Sequence, residues 1–95
     1  MVHPRVINPL HLRRIDPARN MRRFYRLDIQ PDLFGRIMLM KQWGRVGTEG
    51  RMQAESFESE ELAVDAMQRQ AERKRRRGYV ASVPDTRKDV PQTFV

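Results

Sequence analysis

A chain of 95 residues carrying 19 Lys plus Arg against 12 Asp plus Glu, a formal charge of +7 and no cysteine is sized for one domain. Disulfides, thiolate metal sites and a catalytic thiol are excluded. Its longest apolar run, Ile37 to Met40, is far too short to span a membrane. Met1 to Arg5 leads into no secretory signal, so the residues predict a soluble cytoplasmic protein with no membrane partner.

Residues 1–8 read as a flexible arm. Leu10 to Ile15 predicts a short first strand, closed by turn chemistry at Asp16-Pro17-Ala18-Arg19-Asn20. From Arg22 to Gln30, Tyr25, Leu27 and Ile29 alternate with Phe24, Arg26 and Asp28, the period of a half-buried second strand. Pro31 to Gly35 predicts a hairpin loop. A third strand, Arg36 to Trp43, places Ile37, Leu39, Lys41 and Trp43 on one face. Gly47-Thr48-Glu49-Gly50 supplies the next turn, and Arg51 to Phe57 a fourth strand. Links this short require antiparallel pairing.

Ser59 then stands where a helix N-cap belongs. Glu60 and Glu61 complement the positive end of the helix dipole, Arg73 to Arg77 the negative end, and Gly78 sits at the C′ position. Leu62, Ala63, Ala66, Met67 and Gln70 recur at helical spacing, marking a face that can cover a sheet. Pro84 and Pro91 fall among polar residues, so 81–95 is expected to be a disordered tail. The predicted fold is α+β: an antiparallel sheet of about four strands packed on one long C-terminal helix, within residues 9–80.

Two constellations carry chemistry. The first is Trp43-Gly44-Arg45, with Lys41 before it on the same strand face. A partly exposed indole beside a guanidinium suits stacking on a base or sugar, and an adjacent glycine lets a ligand approach the backbone. A lone Trp equally suits a core, and spacing leaves the two readings even. The second is the basic run Arg73, Lys74, Arg75, Arg76 and Arg77, with Arg69 one turn earlier and only Glu72 against it. One or two cations serve a helix end; five in a row read as a polyanion footprint. Sixteen of the 19 cations are Arg, the side chain that grips phosphate bidentately, although GC-rich codon usage gives the same bias. Tyr79 follows, with its ring expected to cap the core and its hydroxyl to reach the surface. Arg13, Arg14, Arg19, Arg22, Arg23 and Arg26 add charge, but strand alternation divides them between faces.

Enzymatic chemistry finds no support. His3 and His11 lack a third ligand at metal spacing, and Glu60 and Glu61 already serve the helix start. Gly44-Arg45-Val46-Gly47 lacks the glycines and lysine of a phosphate loop. The residues predict a non-enzyme with no metal and no cofactor.

The segment Arg36 to Gly50, with Trp-Gly-Arg-Val-Gly at 43–47, resembles the WGR domain, a module of poly(ADP-ribose) polymerases and of small stand-alone bacterial proteins. Asn20-Met21, Phe24-Tyr25-Arg26-Leu27, Leu33-Phe34-Gly35, Phe57, the acidic helix start and Lys74 to Tyr79 extend the resemblance over Leu10 to Tyr79. It implies a module that binds DNA near strand breaks, its Trp, here Trp43, packing on a terminal sugar. It gives the Arg, here Arg45, contacts to neighbouring domains or to nucleic acid. No polymerase domain follows residue 80 in this sequence, so Arg45 is expected to face phosphate, another chain or solvent. The expected partner is DNA, with a preference for ends or nicks, through Lys41, Trp43, Gly44, Arg45, Arg73, Lys74, Arg75, Arg76, Arg77 and Tyr79. An RNA partner, a protein partner docking on the Trp-Gly-Arg surface, and a homodimer are the alternatives.

Overall fold

The computed structural model describes residues 8–82, so most of the expected arm and most of the expected tail lie outside the described residues. Five strands, β1 (Leu10–Asp16), β2 (Met21–Pro31), β3 (Ile37–Arg45), β4 (Arg51–Phe57) and β5 (Val80–Ala81), form one antiparallel sheet in the order β4-β3-β2-β1-β5. The first four make a meander. The helix α1 (Glu60–Arg76), about 25 Å long at 1.5 Å per residue, then carries the chain across one face to the opposite edge.

The α+β expectation holds, with β5 the added strand. Its pairing is non-local: Ala81 stands opposite Leu12, and the Ser82 amide donates to the His11 carbonyl at 2.8 Å. No alternating pattern marks two residues. β3 also runs two residues past Trp43, because Gly44 and Arg45 pair with Phe24 and Arg23. The Trp-Gly-Arg triplet is therefore strand, and the turn begins after it.

Register decides which side chains share a face. Leu12, Tyr25, Leu27 and Leu39 point toward α1 and meet Met67 and Ala71, with Tyr79 closing the core. Ala63 and Ala71 are fully buried, and their small side chains let the helix lie close to the sheet. Leu62, expected on the covered face, is 54% exposed: the buried stripe is Ala63, Met67 and Ala71, rotated away from Leu62. The Ser59 hydroxyl accepts from the Leu62 amide at 3.2 Å, the expected N-cap. At the other end Gly78 adopts φ +97°, the left-handed conformation expected at C′. Arg14 packs over it, 3.2 Å from where a Cβ would lie.

Candidate nucleic-acid interface

Trp43 occupies the α1 side of the sheet, in the row Ala81–Leu12–Tyr25–Trp43–Arg51. It is half-buried, between the two readings that spacing left even: it packs against the core, with the Tyr25 ring centroid 6.2 Å away and tilted by 32°. Tyr25 is itself fixed. Gln70 Nε2 donates to its hydroxyl at 2.7 Å, the Tyr79 ring meets it edge-on at 6.3 Å, and Lys74 Nζ lies 4.5 Å over its face. Burial raises the Tyr25 pKa above its ordinary value, against the Gln70 hydrogen bond and the Arg73 charge, which lower it. Trp43 thus has an aromatic neighbour held in place behind it and keeps part of its surface accessible.

Gly44 has an internal role. A Cβ there would lie 2.7 Å from the Gly50 Cα and 3.5 Å from the Phe24 ring. At Gly50, with φ +68°, a Cβ would lie 2.0 Å from the Trp43 carbonyl oxygen. The two glycines fold the β3–β4 turn back on itself, so the space that a ligand was expected to use at Gly44 is filled by this chain's own backbone.

The next row is formed by Arg14, Arg23 and Arg45, directly opposite one another on β1, β2 and β3 and on the same face as Trp43. Like charges opposed across strands repel. Arg45 spreads toward the turn, its guanidinium donating to the carbonyl and side-chain oxygens of Asn20 at 3.4 and 3.5 Å. Sequence reading missed this ladder, and it missed Arg51 beside Trp43. Alternation alone separates Arg13 from Arg14 and Arg22 from Arg23, but only the register between strands aligns Arg14, Arg23 and Arg45.

The basic run splits in two. Arg69 pairs with Asp65 at 3.0 Å, and Arg75 and Arg76 both reach Glu72, at 3.9 and 3.5 Å. Arg73 instead bonds Gln70, whose amide bonds Tyr25, and Lys74 covers the Tyr25 and Tyr79 rings. Burial first, then the charges of Arg77, Arg23 and Arg73, hold Lys74 below its ordinary pKa, so these cations crowd one end of the helix and sheet. Among the described residues, no carboxylate lies within ion-pair reach of Arg14, Arg23, Arg45, Arg51, Arg73, Lys74 or Arg77. Of the other expected residues, Lys41 lies one row inward and pairs with Glu55 at 3.6 Å. Tyr79 is buried, its ring belonging to the core as expected. Among the described residues no three His, Asp or Glu side chains are grouped to hold a metal, and no helix is long and apolar enough to cross a membrane.

Comparison with known proteins places this arrangement. The uncharacterized protein y4dW of Sinorhizobium fredii is 47% identical over 70 residues, covering 74% of this chain. The match is 34% of that protein, so the chain spans about a third of its relative's length. A solved Bacteroides fragilis structure superposes with a TM-score of 0.72 over 86% of this chain and 21% of its own, at 21% identity, a likeness of fold. The WGR-domain model matches residues 8–86. The described sheet and helix lie within that span, and the chain belongs to the WGR-domain family, whose module binds rather than catalyses.

Proposed function

We propose that this chain binds DNA through the Trp43 end of its α1-side surface, with Trp43 against a sugar or base and the arginine ladder along the phosphates. The observation that carries this reading is the ladder itself. Arg14, Arg23 and Arg45 oppose one another across three strands with no carboxylate in reach among the described residues, an arrangement that costs stability unless an anion neutralises it. A polyphosphate backbone supplies anions at regular spacing, and guanidinium binds them bidentately. Arg73, Lys74 and Arg77 extend the track from the helix end, which gives them the positioning role of phosphate contacts.

Trp43 adds the preference for an end or nick. Its accessible part reaches a sugar where the next nucleotide is missing, whereas continuous B-form duplex stacks its bases away from a protein ring. Two measurements test the reading. If these six cations neutralise about six phosphates, log K against log salt falls with a slope near −5.4 on duplex DNA; a flat titration overturns nucleic acid as the ligand. Competition between a closed circular duplex and the same duplex nicked once, at fixed salt, tests the end preference. The nicked form should compete severalfold better, and equal competition removes Trp43 from the site.

A further inference from the structure

We propose that the outer edge of β4 is a pairing site for a second copy of this chain, joining two sheets into one. β4 ends the sheet order, and among the described residues no strand pairs with its outer side. Every residue from Arg51 to Ser56 is exposed, Met52 at 60%. Natural edge strands are blunted against such pairing by proline, charged side chains (lysine above all), bulges or extreme shortness, and the two charges of β4, Arg51 and Glu55, are of opposite sign. β4 has seven residues, Arg-Met-Gln-Ala-Glu-Ser-Phe, with no proline, glycine or lysine.

The strand is complementary to itself in one antiparallel register. With the two-fold axis on Gln53, each Gln53 meets its symmetry mate, and isologous pairing repeats every other contact twice. Arg51 then opposes Glu55 of the second copy, and Met52 opposes Ala54 of the second copy. Both charge pairs fall on the α1 face and both apolar pairs on the opposite face, as alternation requires. Arg51 has no carboxylate partner among the described residues. Glu55 is half exposed and engages Lys41 through Oε1 alone, which leaves its second oxygen for an incoming guanidinium. Moving the axis to Ala54 sets Arg51 against Phe57 and loses both ion pairs. Seven residues per strand make a small interface, so the dimer is concentration-dependent. Both Trp43 rings would lie on one face of the joined sheet, about 20 Å apart from strand spacing and rise.

The absence of cysteine makes the test clean and independent of any nucleic acid. In the proposed register the two Gln53 Cα atoms lie about 4.5–5.5 Å apart, within disulfide range, while the two Ser56 Cα atoms lie well beyond it. Under mild oxidation without DNA, Gln53→Cys should crosslink roughly tenfold or more faster than Ser56→Cys, since its partner thiol is held at high effective concentration. Adding Arg51→Glu should abolish that advantage, and adding Arg51→Glu with Glu55→Arg should restore it. Sedimentation of the unaltered chain should show a mass rising above one chain with concentration. Equal crosslinking at the two positions, none at Gln53→Cys, insensitivity to Arg51→Glu, or a constant single-chain mass each overturns the proposal.

Discussion

Arg23→Gln should make the protein more stable and a poorer DNA binder at once. Arg23 stands between Arg14 and Arg45 on adjacent strands, so the substitution removes two opposed like-charge contacts. Cross-strand pairs are each worth roughly 0.2–1 kcal/mol, giving a gain of about 0.4–2 kcal/mol. For a domain this small, ~1 kcal/mol moves Tm by about 4–8 °C, so Tm should rise by several degrees at low salt. Repulsion between exposed charges is screened by salt, and the gain should shrink toward zero near 1 M. In the binding assay one lost phosphate contact lowers the salt slope by about 0.9 and the affinity about eightfold near 0.1 M salt. Arg69→Gln is the control: it removes an equal charge but breaks the pair with Asp65, so Tm should not rise and affinity should change little. The measurements are melting by circular dichroism and fluorescence anisotropy with a labelled duplex, both at two salt concentrations. A Tm that falls for Arg23→Gln, or an affinity that stays level, refutes the ladder as a phosphate track.

Three further outcomes are expected. Replacing Arg73, Lys74 and Arg77 together by Gln should cost up to several hundredfold in affinity near 0.1 M salt by the same phosphate arithmetic. The matched triple Arg69, Arg75 and Arg76, held by Asp65 and Glu72, should cost only a few fold, and equal losses in the two triples would leave net charge as the whole effect. Trp43→Ala should cost about 2 kcal/mol of stability, below the 3–5 of a fully buried aromatic, plus about 1–3 kcal/mol of binding; denaturant titration and anisotropy on one variant separate the two, and undiminished affinity removes Trp43 from the interface. Lys74 gives a pH signature. Its folded pKa is depressed below the unfolded value near 10.5, so between the two the unfolded chain holds more protons and stability rises with pH; Lys74→Met should lose that rise in urea titrations, and an unchanged pH profile argues against the crowding of Lys74.

Local chemistry made most of the fold legible. Period-two alternation found β2 from Tyr25, Leu27 and Ile29; Ser59 and Gly78 bracketed the helix; the Asp16 and Gly47 turns separated the strands. What stayed hidden depends on pairing between distant segments. β5 exists because Val80 and Ala81 meet β1, and nothing in those two residues announces it. The same limit applied to the site. Trp43 and Arg45 stand out as a motif, whereas Arg14, Arg23 and Arg51 acquire meaning only when the strands are aligned. Gly44 drew a ligand-based reading because Gly50, six positions on, packs against it only once the turn has closed. The pairing of Arg76 with Glu72 was within reach, since the two are four apart on a helix and such neighbours meet.

The helix that returns the chain to β1 also fixes where the domain is wired to anything beyond it. Leu10 opens β1 and Ala81 closes β5, and the two strands are hydrogen-bonded neighbours at one edge of the sheet. Entry and exit therefore sit side by side, with β4 on the opposite margin. A domain with adjacent ends can be spliced into a surface loop of a host protein without prying the host apart. Such a graft would tether the fold along its β1–β5 margin and leave the far margin open to solvent. In engineering terms this is a cassette with one attachment side, and an insertion between two rigid host strands should preserve its melting transition.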